Sequence, residues 1–109
     1  MKEITADQLK QEKHKYILLD IREDFERAKD GAIPNSHHLK SSEIDIYNIL
    51  DFFNKFEEEE IVIYCNSGAR SSSLIENLHN NNIYKKDKII NLKGGFQIWK
   101  ASMYEIEKI

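Results

Sequence analysis

The sequence predicts an α/β fold, a three-layer α/β/α single domain with a mainly parallel sheet of four to five strands, and three observations lead there. Short apolar runs alternate with segments of helical periodicity along the whole chain, as in strand–helix–strand units joined by right-handed crossovers. The runs are continuous rather than alternating, which fits strands covered on both faces. The 109 residues suit one domain, residues 1–109, and 30 of them are Ile, Leu, Val or Phe, enough to build a core.

The elements follow in order. Glu3-Ile4 is a short candidate fifth strand, and Thr5 or Asp7 is placed to cap a first helix around Leu9. Tyr16-Ile17-Leu18-Leu19 is a strand, and a helical turn after Arg22 takes in Glu23, Phe25 and Glu26. Gly31 to Pro34 reads as a turn into a weak strand, Ser36 to Leu39. Ile46, Ile49, Leu50 and Phe53 stand at helical spacing behind a start signal at Ser41/Ser42. Glu57 to Glu60 reads as a solvated turn before the strand Ile61-Val62-Ile63-Tyr64. Ser71, Leu74, Ile75 and Leu78 repeat the helical spacing, and Asn80 to Asn82 form a stop, because Asn tolerates left-handed geometry. A strand over Lys88 to Leu92 leads to Gly94-Gly95 and a last helix marked by Phe96 and Trp99, with Trp99 as core. The tail from Tyr104 to Ile109 is weakly amphipathic and suited to cover an apolar face or a partner.

Composition narrows the function classes. The formal net charge is −3, which argues against nucleic acid as a partner. No stretch approaches the ~18 consecutive apolar residues of a membrane span, so a soluble, cytoplasmic protein without membrane attachment is expected. The single cysteine, Cys65, has no partner for an internal disulfide, and four scattered histidines make no zinc-like ligand set. His37 and His38 would point to opposite faces of a strand, a poor metal pair. No metal and no cofactor are expected.

In open α/β sheets ligands bind beyond the carboxyl ends of the strands, which directs attention to Asp20-Ile21-Arg22 and to Cys65-Asn66-Ser67-Gly68-Ala69-Arg70-Ser71. A lone cysteine after an apolar strand is ordinarily a small core residue. Here five small or polar residues ending in Arg70 follow it, which make poor core, and a helix begins near Arg70-Ser71. Backbone N–H groups of such a loop can converge on one point beside a helix N-terminus. A thiolate there is stabilised and nucleophilic at neutral pH. Arg70 at a helix start is unfavourable unless it faces an anion.

Cys65-x-x-x-x-Arg70-Ser71, preceded by Leu19-Asp20-Ile21-Arg22-Glu23 and Gly31-Ala32-Ile33-Pro34-Asn35-Ser36 and followed by Leu92-Lys93-Gly94-Gly95-Phe96-x-x-Trp99, resembles a single-domain rhodanese from about Glu3 to Lys100. The resemblance implies a sulfurtransferase that moves sulfane sulfur through a persulfide on Cys65, held by the backbone of Asn66, Ser67, Gly68, Ala69, Arg70 and Ser71. It implies small sulfur donors such as thiosulfate or a persulfide, and cyanide, a thiol or a sulfur-accepting protein as acceptor. Asp20 and Arg22 are expected to support the loops through charge-assisted hydrogen bonds. The resemblance also covers phosphatases and arsenate reductases, but those carry five residues between Cys and Arg, against four here, and a reductase's usual disulfide step needs a second thiol. Ala32 replaces the family's frequent His and Asn35 its frequent Gly, while Asn66, Ser67 and Ala69 are neutral where thiosulfate-using members often carry basic residues. A relay module that takes sulfur from a protein without turnover of its own is the alternative.

Overall fold

The computed structural model describes residues 1–109. Five strands, β1 (Lys2–Ile4), β2 (Tyr16–Asp20), β3 (His37–His38), β4 (Glu60–Tyr64) and β5 (Ile89–Leu92), alternate with five helices. These are α1 (Ala6–Glu12), α2 (Asp24–Asp30), α3 (Ile46–Lys55), α4 (Ala69–Asn80) and α5 (Gly95–Ala101). The sheet order is β1-β5-β4-β2-β3 and every pairing is parallel. All five expected strands form, and only the β3 run shortens markedly, to two residues.

The apolar runs are continuous because the sheet is buried on both faces. Leu18, Val62, Tyr64, Ile90 and Leu92 pack on one side with Leu9 of α1 and Phe96 and Trp99 of α5. Their neighbours Leu19, Ile61, Ile63 and Ile89 pack on the other with Ile49 and Phe53 of α3 and Ile75 and Leu78 of α4. The tail closes over the first side: Trp99 meets Tyr104 edge-on at 5.1 Å, Ile106 packs on the cluster, and Ala32 bridges to Glu107. No helix is long and apolar enough to cross a membrane.

Helix starts follow capping chemistry. Thr5 caps α1 in a reciprocal box with Gln8. The start of α3 differs from the expected Ser41/Ser42: Asp45 caps it, accepting from the N–H groups of Tyr47 and Asn48. Ser41 and Ser42 instead form a 3-10 turn, Ser41–Glu43, because a long-range acceptor takes their donors. That acceptor is Glu23, whose carboxylate receives both serine hydroxyls and the Ser42 N–H at 2.6–2.9 Å. Glu60 also differs from its expected place in a turn, since it opens β4 and pairs with Lys2. Asn82, at φ +52°, turns the chain after α4.

The hydrogen bonds from Ser42 and Ser41 hold the Glu23 carboxyl down to about 2. A carboxyl depressed by folding contributes stability that is complete above its unfolded value, near 4.5, and is lost as pH falls through about 2. In a carboxyl titration by NMR, Glu23 should therefore titrate well below the unpaired surface glutamates, and Glu23→Gln should reduce the acid loss of stability between those limits. An ordinary Glu23 titration would mean that the clamp on the Ser41–Glu43 turn is open in solution.

Candidate active site

The order in which successive strands are added across the sheet reverses between β2 and β4: β2 leads outward to β3, and β4 leads the other way to β5. The crevice beyond the carboxyl ends of these central strands is the topological switch point. Two segments meet there. The Ile21 N–H donates to the Tyr64 carbonyl at 2.9 Å, so the residues after β2 lie beside Cys65, the first residue after β4.

Cys65 has no solvent-exposed area. Its Sγ receives the Gly68 N–H at 3.2 Å and the Ser71 N–H at 3.5 Å, and lies 3.5 Å from Ser71 Oγ. Burial opposes ionisation, but the N–H groups of Ser71, Gly68 and Arg70, together with the Ser71 hydroxyl when it turns to the sulfur, outweigh it, so the thiol ionises below its ordinary value. Gly68, at φ +97°, makes the turn that brings the loop back over the sulfur, and α4 begins at Ala69, one residue before the expected Arg70-Ser71 start.

The loop is held from behind by α5. The Phe96 N–H donates to the Cys65 carbonyl at 2.8 Å and the Gln97 N–H to the Asn66 carbonyl at 2.9 Å. These two carbonyls point to α5, and it is the N–H groups of Gly68 and Ser71 that face the sulfur. This contact needs the Gly94-Gly95 pair: a Cβ on Gly95, at φ +62°, would stand 2.6 Å from both carbonyl oxygens. From sequence the pair reads only as a tight turn.

Asp20 and Arg22 are both fully buried. Arg22 Nε and Nη2 donate to the two Asp20 oxygens at 3.0 and 2.9 Å, and Nη2 also reaches the Gly31 carbonyl at 2.6 Å. Arg27 Nε joins Asp20 at 3.0 Å, and the guanidinium of Arg22 stacks 4.0 Å over Phe96. The pair thus ties the end of β2 to the turn before β3 and to α5. The hydrogen bonds of the two side chains run to each other, to Arg27, to the Arg22 N–H and to the Gly31 carbonyl, and none runs to the sulfur.

Arg70 faces an anion that the chain itself supplies. Its Nη1 and Nη2 form a bidentate pair with Glu26 of α2, both at 2.8 Å, rather than facing the loop. The Arg70 hydrogen bonds hold the Glu26 carboxyl below the usual range, and Glu26 offers the partly buried Arg70 a counter-charge that the N–H-lined loop does not. Beside the loop, a cavity of about 410 Å³ is lined by Ile21, Ser41, Ile44, Ala69, Arg70, Ser73 and Leu74. Its walls are mainly apolar.

Two groups of the site escape sequence reasoning. Glu26 is one, 44 residues from Arg70. The other is Asn91 of β5, almost fully buried, whose Oδ1 accepts the Ser71 hydroxyl at 2.6 Å and whose Nδ2 donates to Glu3 at 3.2 Å. One signal for Asn91 was visible, a polar residue inside an otherwise apolar strand run. His37 and His38 take ordinary roles: the first packs against Phe52 and Phe56, and the second reaches the Arg22 carbonyl at 2.6 Å.

A family model described as Rhodanese-like domain matches residues 5–102. Among solved structures, the chain is similar to a rhodanese-like domain protein from Staphylococcus aureus, 32% identical with a TM-score of 0.70 over 99% of this chain and 100% of that one. A rhodanese-related protein from Thermoplasma volcanium is 26% identical with a TM-score of 0.75, covering 97% of each chain. The fold is also that of a protein of unknown function and possible tyrosine phosphatase from Rhodopseudomonas palustris, 21% identical with a TM-score of 0.75 over 98% of this chain and 85% of that one.

Proposed function

The chain belongs to the rhodanese-like domain family, and from that premise we propose that it is a sulfurtransferase carrying sulfane sulfur on Cys65. The observation that carries the proposal is the sulfur itself, placed at the carboxyl end of the central strand with the Gly68 and Ser71 N–H groups directed at it. In the first half-reaction the Cys65 thiolate attacks the outer sulfur of thiosulfate or of a low-molecular-weight persulfide. A new S–S bond forms, the donor's own S–S bond breaks, and its electron pair leaves on sulfite or a thiolate. The terminal sulfur of the enzyme persulfide then bears the negative charge, opposite the N–H groups of the Asn66 to Ser71 loop and the start of α4. In the second half-reaction cyanide or a thiol takes that sulfur and Cys65 leaves as thiolate. Two half-reactions through one covalent intermediate make the kinetics ping-pong.

The four residues between Cys65 and Arg70, and the engagement of Arg70 by Glu26, favour sulfur over phosphoryl chemistry, which calls for a free guanidinium on a tetrahedral dianion. The chain's own residues supply every step written here. The setting proposed is the cytoplasm, with small sulfur donors and thiol acceptors as partners. Complete burial of the Cys65 side chain in the unloaded protein favours one second reading, a relay loaded by a protein partner that opens the loop. Intact mass of the reduced protein, before and after thiosulfate or glutathione persulfide, separates the two. A gain of one sulfur atom that cyanide removes supports the enzyme; no gain with either donor withdraws it in favour of the relay.

A further inference from the structure

Ser71 has one hydroxyl proton and three acceptors within reach: Asn91 Oδ1 at 2.6 Å, the Gly68 carbonyl at 3.2 Å and Cys65 Sγ at 3.5 Å. The shortest contact takes the proton. Its direction is set from β1, where Glu3 lies in register with Asn91. The Glu3 carboxylate only accepts, so it draws Nδ2 of Asn91 toward itself at 3.2 Å and turns Oδ1 toward Ser71. With its proton committed to Asn91, Ser71 presents a lone pair to the sulfur.

We propose that Asn91, oriented by Glu3, is a positioning residue for Cys65 that withholds the Ser71 hydroxyl proton from the sulfur. A lone pair facing Sγ suits a thiol, which can donate its proton, and opposes a thiolate. The hydroxyl serves the thiolate only by breaking its bond to Asn91. In a persulfide the charge sits on the terminal sulfur, and Sγ becomes a neutral bridging atom that needs no donor. The Glu3–Asn91–Ser71 chain therefore disfavours the unloaded thiolate while leaving the loaded form undisturbed, a consequence that rests on the sulfurtransferase reading. The effect on the thiol itself does not.

The other charged groups about the loop are the Arg70–Glu26 pair from α4 and α2 and the Asp20–Arg22–Arg27 cluster after β2. None of them is hydrogen-bonded to the Asn91 side chain, whose partners are Ser71 and Glu3. Asn91→Leu keeps the side-chain size and removes the oxygen. The freed hydroxyl then chooses between the more distant Gly68 carbonyl and the sulfur, and the thiolate competes better.

The test is the pH dependence of Cys65 alkylation by iodoacetamide, read by intact mass with no sulfur donor present, so that it is independent of any transfer activity. Asn91→Leu is expected to raise the acid dissociation constant of Cys65 roughly three- to ten-fold, the scale of one competing hydrogen bond. Ser71→Thr, which keeps a hydroxyl, should preserve that response. In a Ser71→Ala background the same Asn91 change should do nothing. Glu3→Gln, on an exposed residue, gives the amide freedom to turn and should shift the constant in the same direction by less, which keeps the test available if Asn91→Leu does not fold. An unchanged or lowered constant in Asn91→Leu overturns the proposal. So does a shift that persists without the Ser71 hydroxyl, or, where Asn91→Leu does not fold, an unshifted Glu3→Gln.

Discussion

Cys65→Ser is expected to lose sulfur transfer entirely, with thiocyanate formation from thiosulfate and cyanide falling to the buffer background. The chemical reason is categorical. A serine hydroxyl does not ionise near neutral pH, and an oxygen in its place has no S–S bond to form or break. The fold should survive, since the two side chains have nearly the same shape and a serine oxygen can accept the Gly68 and Ser71 N–H groups that now face Sγ. An unchanged melting temperature beside absent turnover, with glutathione persulfide as well as thiosulfate, is the expected result. Turnover retained by the serine variant would sink the persulfide mechanism.

The second large effect lies away from the sulfur. Asp20 accepts from Arg22 and Arg27 in a site where its own side chain and that of Arg22 have no exposed area. Asp20→Asn keeps the shape but leaves the Arg22 guanidinium buried without its counter-charge. Breaking a buried pair in this way costs about 3–5 kcal/mol, against a total of about 5–15 kcal/mol for a domain of this size. A fall in melting temperature of more than about 10 °C is expected. Because Arg22 also holds the Gly31 carbonyl and stacks on Phe96, transfer should decline in the folded fraction as α5 loses its footing behind the Cys65 loop. A melting temperature within a few degrees of the parent would show that the cluster is no clamp.

Much of this molecule is legible in its amino-acid order. Continuous apolar runs are the direct result of a sheet covered on both faces, so Tyr16 to Leu19 and Ile61 to Tyr64 announce themselves as strands. Helical spacing at Ile49 and Phe53, and at Ile75 and Leu78, comes from each helix burying one stripe. Cys65 stands out because small polar residues follow it where an inert thiol would have apolar neighbours. Each of these signals is local, imposed on neighbours in sequence by one strand or one helix.

What tertiary structure alone decided is carried by residues far apart in the chain. Asn91 meets Ser71 across 20 residues and Glu3 across 88, and Glu26 meets Arg70 across 44. The Ser41 and Ser42 hydroxyls look like a helix start until Glu23 claims them from 18 or 19 residues away. Gly95 is a turn residue until the carbonyls of Cys65 and Asn66 close on it. Local preference states what a side chain can donate or accept, and only the parallel stacking of β1, β5, β4 and β2 selects which distant group receives it. The candidate cysteine and the loop that folds over it were therefore visible in the sequence, while the partners of Ser71 and Arg70 around that loop arise from tertiary packing, which no local pattern encodes.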